Sequence, residues 1–155
     1  MAGRRLLVST FAALTLLSSG LAVAQQSGTA AEAKAMLGAA VAALKANEAS
    51  ALAAFNDKTN KQYHDRDLYP FCFSTKDGKY LAHPNSALMG TDIRAVKFKD
   101  DPLGQRIFDA VTSAPPETVS TIDHYFPKPG TTEFVPKQSY VTRVGDVGCG
   151  VGYYK

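Results

Sequence analysis

Motifs for metal binding and redox chemistry are missing from this sequence. Its 155 residues include two cysteines and three histidines, and neither a CxxC nor an HExxH spacing occurs. Zinc sites, haem attachment sites and zinc proteases are recognised by such spacings. The sequence therefore predicts no metal and no cofactor.

The sequence also lacks a strong excess of charge of either sign. Seventeen Lys and Arg stand against fourteen Asp and Glu, the formal net charge is +3 at pH 7, and no basic stripe runs along the chain. A nucleic-acid-binding domain normally carries a clustered basic patch. We therefore expect no nucleic-acid partner.

Motifs of common enzymes are lacking as well. Four serines have no nucleophile-elbow context, and no histidine has a partner defined by a motif: Ser74, Ser86, Ser113 and Ser120. The glycine-rich segment 145–152 belongs to a predicted terminal hairpin, whereas a phosphate-binding loop leads into a helix. We predict that the protein is not an enzyme.

Residues 1–24 have the pattern of a cleaved secretory signal peptide. Arg4 and Arg5 precede an apolar run, and Ala22-Val23-Ala24 supplies the small residues of a cleavage site. The run is short for a membrane span of about 20 apolar residues, which makes a retained anchor the weaker alternative. No second apolar run follows. We expect residues 25–155 to be exported to the periplasm without a membrane span.

A long helix is predicted at the start of the exported chain. Thr29 followed by Glu32 is typical of a capping box, and apolar residues then recur at intervals of three and four. The stretch is rich in alanine, which allows close approach to a neighbouring element. These patterns predict a helix over residues 30–63, with a bend near Asn47.

After residue 67 the pattern changes to short strands and a second helix. Strands are predicted at 69–74, 80–83, 119–126, 137–144 and 147–154. The second helix is predicted at 102–114, with Asp101 as its N-cap. Asp77-Gly78 between the first two strands is a hairpin signal. This order of elements predicts an α+β fold with an antiparallel sheet.

Several short segments, in this order and spacing, resemble the single Cache domains. They are Tyr69-Pro70-Phe71-Cys72-Phe73, Asp77-Gly78-Lys79, His83-Pro84-Asn85, Gly90-Thr91-Asp92, 125–130, 136–141 and 149–154. The resemblance implies a PAS-like fold, with a long N-terminal helix on a five-stranded antiparallel sheet whose first and last strands are neighbours. It also implies an extracytoplasmic small-molecule sensor, since family members are usually the outer parts of chemoreceptors or histidine kinases.

The resemblance implies a structural disulfide between Cys72 and Cys149. It makes the two strands that carry them antiparallel neighbours, and opposed residues of such strands lie within disulfide reach. An even number of cysteines in an exported protein favours oxidation. A redox-reactive pair and two free thiols are the alternatives.

Alternation along the strands predicts a groove on one sheet face. If Cys72 bonds Cys149, then Gly148, Gly150 and Gly152 share the face of Tyr69, Phe71 and Phe73, and Phe73 is a predicted ligand-binding residue. Glycines beside large aromatic rings leave room for a neighbouring group. The alanine-rich helix or a ligand could occupy that room, and the helix is the preferred occupant.

Further ligand-binding residues follow from the resemblance, because the family binds its ligands mainly with the third and fourth strands. They are His124, Phe126, Lys137, Ser139 and Tyr140, and His83 lies near the mouth of the predicted pocket. The ammonium of Lys137 could neutralise a carboxylate that hydroxyl groups orient. Regular alternation places Tyr140 on the opposite face from Lys137, so either a bulge redirects it or it is a core residue.

Three hypotheses for function remain. The first is a stand-alone periplasmic binding domain for a small organic acid, acting with a separate membrane-bound histidine kinase or chemoreceptor. The second is a protein-interaction or structural module that binds no small molecule. The third is a redox enzyme using Cys72 and Cys149, and burial of that pair would argue against it.

Overall fold

The computed structural model describes residues 27–155, so the predicted signal peptide lies outside the described residues. Three α-helices are present: α1 (Ala30–Ala46), α2 (Glu48–Asn56) and α3 (Leu103–Ser113). Five strands are present: β1 (Pro70–Ser74), β2 (Tyr80–Ala82), β3 (Ser120–Pro127), β4 (Phe134–Val144) and β5 (Val147–Tyr154). Two short 3₁₀ turns, Ser86–Leu88 and Ile93–Ala95, lie between β2 and α3.

The start of α1 is fixed by the predicted capping box. The Thr29 amide donates to the Glu32 carboxylate at 2.8 Å, and the Glu32 amide donates to the Thr29 hydroxyl at 3.2 Å. Both bonds satisfy amides that have no partner within the helix. The prediction for this end of the helix is confirmed.

The predicted single helix over residues 30–63 is wrong in its extent. Asn47 is extended and separates α1 from α2, and its side chain accepts from the Ser50 amide at 2.8 Å. Helix α2 ends at Asn56. It ends there because the Asp57 carboxylate accepts from the Thr59 amide at 2.9 Å and from the Thr59 hydroxyl at 2.7 Å. Such local side-chain bonds compete with helical ones.

The five strands form one antiparallel sheet in the order β2-β1-β5-β4-β3. The first and last strands are therefore neighbours, as expected. Cys72 pairs with Cys149, and the two residues form a disulfide with their Cα atoms 4.1 Å apart. The bridge is buried on both sides, at 0% and 1% exposure.

The two faces of the sheet carry different helices. One face packs against α1 and α2, with the disulfide, Tyr140 and Val151 beneath the alanines of α1. The other face packs against α3, whose Ile107 and Val111 meet the rings of Phe71 and Phe73. The α+β fold with an N-terminal helix on a five-stranded antiparallel sheet is confirmed.

The start of α3 differs from the prediction. Leu103 is its first residue, and the position before it is Pro102, which makes no side-chain cap. Asp101 does not cap the helix, because its carboxylate binds the guanidinium of Arg106 at 2.9 Å. Proline suits the first positions of a helix, since its missing amide would have no partner there.

Candidate functional site

Alternation along β4 brings Lys137 and Ser139 to the sheet face that packs against α3. Each residue pairs with a neighbour on both sides, Lys137 with His124 and Tyr154 and Ser139 with Ile122 and Gly152. The register is continuous through this segment. Side chains of paired antiparallel residues lie side by side, so these pairs gather their polar groups on one face.

The gathered side chains enclose a small cavity, which we call the inner cavity. It has a volume of about 30 Å³. The strands and the segments next to them contribute Tyr69, Phe71, Tyr80, His83, His124, Phe126, Lys137 and Ser139, while α3 and the segment before it contribute Val96, Leu103, Gly104 and Ile107. A water molecule needs about 10–15 Å³ of such space, so the inner cavity has room for one or two waters.

Lys137 is the central polar residue of the inner cavity. It is only 3% exposed, and its ammonium donates to the hydroxyls of Tyr69 at 3.2 Å and Tyr154 at 3.4 Å. Three rings also face the nitrogen, with centroids at 4.4 Å for Tyr154, 4.5 Å for Tyr69 and 5.5 Å for Phe126. Among residues 27–155, no carboxylate forms an ion pair with it.

This environment lowers the pKa of Lys137 to about 7, because burial disfavours the charged form. The Asp67 carboxylate, which does not contact the ammonium, opposes the shift only in part. The same burial raises the pKa of Tyr69 to about 12. At neutral pH the inner cavity thus contains protonated phenols and a lysine divided between its two protonation states.

Two histidines complete the polar lining of the inner cavity. Burial lowers the pKa of both His83 and His124 to about 4, so both are neutral at pH 7. His124 Nε2 lies 2.9 Å from the Ser139 hydroxyl, and His83 Nδ1 accepts from the Asn85 amide at 2.9 Å. Neutral imidazoles leave Lys137 as the cationic group of the lining.

The glycines of β5 make room for the aromatic rings and for Lys137. A Cβ atom on Gly152 would lie 2.5 Å from Lys137 Cε, and one on Gly148 would lie 2.6 Å from Phe73 Cζ. Their face is the one that packs against α3. The preference for the alanine-rich helix as their occupant was wrong, because α1 lies on the opposite face.

Two predicted ligand residues lie outside the inner cavity. Tyr140 faces α1, where the Lys34 ammonium lies 4.9 Å from the centroid of the Tyr140 ring. The Tyr140 hydroxyl donates to the Gln138 side chain at 3.1 Å. No bulge redirects it, so it is the core residue that alternation allowed. Phe73 is fully buried and packs against Phe108 of α3, whereas Phe71, which was not predicted as a ligand-binding residue, lines the inner cavity.

The structure adds two phenols that the sequence reasoning did not select. Tyr69 and Tyr154 both accept a hydrogen bond from Lys137. Both could have been found by alternation. Tyr69 shares the parity of Phe71, and Tyr154 shares the parity of Gly152, so each lies on the face that carries the lysine.

Two open grooves adjoin the inner cavity. The first, the loop groove, has a volume of about 390 Å³, lies between residues 83–88 and 126–131, and shares Tyr69, His83 and Phe126 with the cavity. The second, the aromatic groove, has a volume of about 790 Å³ and shares His124 and Lys137 with it. The residues shared with the two grooves thus separate the inner cavity from solvent on two sides.

Other kinds of site were sought in the described part of the chain. Residues 27–155 hold no cluster of three or more His, Cys, Asp or Glu side chains arranged to bind a metal ion. None of the helices within those residues combines the length and the apolar character that a membrane span needs.

Solved structures of chemosensory proteins share this fold. A methyl-accepting chemotaxis protein from Vibrio parahaemolyticus superposes with a TM-score of 0.63 at 20% identity, over 80% of this chain and 86% of that one. A periplasmic sensor domain of a chemotaxis protein gives 0.59 at 24% identity, over 79% and 87%. A Cache chemosensory domain described for its recognition of a carboxylic acid gives 0.58 at 22% identity, over 79% and 85%.

These likenesses define the class of fold. At such identities they show a common architecture, and the expected PAS-like Cache architecture is confirmed on that basis. No family model matches the chain, and no curated protein matches it. The chain has the fold of the Cache chemosensory domains, and the inner cavity lies between the sheet and α3 of that fold.

Proposed function

We propose that this protein is a sensor domain that acts outside the cytoplasm and binds a small carboxylate in the inner cavity. Lys137 supplies the positive charge, and the hydroxyls of Tyr69, Tyr154 and Ser139 orient the ligand. The single observation that carries the proposal is a buried lysine without a carboxylate partner among the described residues. A buried cation is costly unless it is paired, and a bound carboxylate would pair it.

Ligand entry requires the lining to move. The inner cavity of about 30 Å³ has room for water but is too small for an organic acid, so Lys137 and the rings that face it must shift to admit the ligand. The lysine is joined to these groups by two hydrogen bonds to phenols. A ligand carboxylate replaces a neutral phenol acceptor with an anion, which forms a stronger bond with the ammonium and pairs its charge.

The location and partner of the sensor rest on its sequence. The signal-peptide pattern of residues 1–24 supports export to the periplasm. We expect residues 25–155 to act without a membrane span of their own, and to present the ligand-bound form to a membrane-bound histidine kinase or chemoreceptor. The solved relatives in fold are periplasmic or chemotaxis sensor domains, which supports this role.

Calorimetric titration with acetate and lactate tests the proposal, with acetamide as an uncharged analogue of acetate. We expect the carboxylates to bind and acetamide not to bind. Lys137→Met should weaken carboxylate binding by about 10- to 100-fold, the value of a charged hydrogen bond. Lys34→Met is the matched control, because Lys34 also lies over a tyrosine ring but on the opposite face of the sheet.

A protein-interaction module that binds no small molecule is the second candidate. The small volume of the inner cavity favours it, since the protein's own side chains nearly fill the space. This candidate predicts that none of the carboxylates binds at any pH. It also predicts that Lys137→Met stabilises the fold without loss of any ligand response.

A further inference from the structure

The amine of Lys137 lies in surroundings that suit a nucleophile. Among residues 27–155, its ammonium donates to two phenol oxygens, at 3.2 and 3.4 Å, and the residue is 3% exposed. Charged lysines are unreactive towards carbonyl carbon because their lone pair carries a proton, and desolvation in an apolar site is one way in which proteins free that pair. Burial lowers the pKa of Lys137 to about 7, so a large share of the amine is neutral at physiological pH.

The site is shaped around this side chain. A Cβ atom at position 152 would lie 2.5 Å from Lys137 Cε and 2.5 Å from the Ser139 hydroxyl. Gly152 therefore leaves the space that the lysine side chain occupies. Groups able to exchange protons surround it, namely the Tyr69 and Tyr154 hydroxyls and the His124–Ser139 pair at 2.9 Å. The nucleophile is thus held in position beside proton donors and acceptors.

We propose that Lys137 captures small 2-oxo acids covalently, as a Schiff base in the inner cavity. The inference rests on the proposed function, since it assigns the chemical class of the carboxylate to that same site. A 2-oxo acid carries both the carboxylate that the site lacks and a carbonyl carbon that an amine can attack. The neutral amine attacks the carbonyl carbon, and the protonated imine that results carries the positive charge beside the carboxylate.

The reaction balances without an oxidant or reductant. The nitrogen lone pair forms a bond to the carbonyl carbon, and the C=O π pair moves to the oxygen, which takes a proton from a neighbouring hydroxyl or imidazole. The nitrogen, which now has four bonds and a positive charge, returns a proton to that same neighbour and so regains its lone pair. The hydroxyl group then takes a proton from solvent and leaves as water, and the nitrogen pair forms the C=N bond. The product is a protonated imine, which retains the positive charge beside the carboxylate of the ligand.

The aromatic lining favours this product over a carbamate formed with carbon dioxide. Rings of Tyr154, Tyr69 and Phe126 face the nitrogen with their centroids 4.4 to 5.5 Å away. The faces of such rings stabilise a cation. An iminium ion keeps a positive charge at that point, whereas a carbamate would place a negative charge there.

Reductive trapping tests the inference. The purified protein is incubated at pH 7 with sodium pyruvate and sodium cyanoborohydride, and the modified lysines are located by peptide mass spectrometry. We expect at least about tenfold more adduct on Lys137 than on any other lysine, because an ordinary lysine is almost wholly protonated at this pH. Unfolding the protein in urea should remove this preference.

Matched variants and ligands make the test specific. Lys137→Arg retains a cation that forms no imine under these conditions, and it should lose the adduct, while Lys61→Arg, an exposed lysine of the α2–β1 loop, should not change it. Lactate has the skeleton of pyruvate with a hydroxyl in place of the carbonyl. Pyruvate should bind more tightly than lactate to the wild type, and the two should bind alike to the arginine variant.

The outcomes separate the two proposals. Acetate and lactate binding without an adduct on Lys137 above that on the exposed lysines overturns the Schiff base and leaves the carboxylate sensor intact. Absence of both binding and adduct overturns both proposals. An adduct that persists in urea, or that forms equally on Lys61, marks ordinary surface chemistry and also overturns the inference.

Discussion

Lys137 is the residue at which stability and function conflict. Lysine is almost never fully buried unless it is paired, yet here two phenols and three rings replace a carboxylate partner. The folded state must carry the cost of removing an amine from water. Evidence of that cost should be visible in the pH dependence of folding.

We expect the free energy of unfolding to rise with pH between about 7 and 10.5. The pKa of Lys137 is about 7 in the folded protein and 10.5 ordinarily, so within this window the unfolded chain binds more protons at this residue. The contribution of Lys137 is therefore complete above pH 10.5, where neither state carries the proton, and it is lost as the pH falls to about 7. Lys137→Met should flatten this rise and stabilise the protein below pH 7. Urea unfolding of both proteins at several pH values measures the difference.

The histidines give this experiment a separate internal reference. The pKa values of His83 and His124 are about 4 when folded and 6.5 ordinarily, so their contribution is complete above pH 6.5 and is lost as the pH falls towards 4. That acid limb should persist in Lys137→Met. Identical curves for the two proteins above pH 7 would contradict a lowered pKa of Lys137.

Local pattern predicted part of the site at this scale. Alternation placed Lys137 and Ser139 on one face and Tyr140 on the other, and the continuous register of β4 has that arrangement. Parity gives a face but not the position along it, so it did not show that Phe73 lies outside the lining of the inner cavity. The neighbours of Phe73 on that face are α3 and Gly148, while Phe71 lies one step closer to the lysine.

At the scale of elements, Asn47 determines where the N-terminal helix divides. Its backbone amide completes α1 by donating to Ala43, and its side chain begins α2 by accepting from the Ser50 amide. Asn47→Ala should lower the free energy of unfolding by about 1 kcal/mol, the usual value of an N-cap. Urea denaturation measures this loss.

Asn47→Asp is the matched variant, because its carboxylate offers the same acceptor at a helix N-terminus. It should retain the stability of the wild type or exceed it slightly. An alanine variant as stable as the aspartate variant would mean that packing alone divides the helix.

The ends of the elements were predictable where a side chain caps the backbone by hydrogen bonding or where a glycine favours a turn. The capping box at Thr29 and the bend at Asn47 were both evident, and the glycines of two turns, Gly78 and Gly145, have positive φ. The end of α2 was not evident. Residues 57–63 keep a composition compatible with a helix, and only the bonds from Asp57 to Thr59 show that the backbone turns there.

At the scale of the whole molecule, the disulfide joins strands that are distant in sequence. Cys72 and Cys149 are separated by 77 residues. A loop of this length gives a stabilisation of up to about 4.5 kcal/mol in the chain-entropy model. Reduction, or the double substitution Cys72→Ala/Cys149→Ala, should lower the free energy of unfolding by most of that amount, which urea denaturation measures.

The buried bridge should also resist dithiothreitol in the folded protein and become reducible in urea. Thiol titration during reduction, with and without urea, measures both rates. Equal rates under the two conditions would support a redox-active pair in place of a structural bridge. Burial of both cysteines argues for the structural role.

The strand order could not be derived from local pattern. Turn signals and alternation identify hairpins, but β5 lies between β1 and β4, and pairing across such a distance leaves no mark in either segment alone. Only the resemblance to the Cache domains supplied that neighbour relation, and with it the disulfide. The small volume of the inner cavity could not be predicted from the sequence either, because it depends on how the Lys137 side chain packs among the aromatic rings.

The central position of β5 sets an order of events during folding. The β1–β2 and β3–β4 pairs are formed by strands close in sequence, and β5 is the strand that joins them into one sheet. Pairing between β1 and β5 must wait until nearly the whole domain has left the ribosome. Until then both strands flanking β5 present open edges, which are sites for wrong pairing. Delayed folding of this kind suits the proposed export in an unfolded state, since the sheet cannot be completed until β5 is available for pairing.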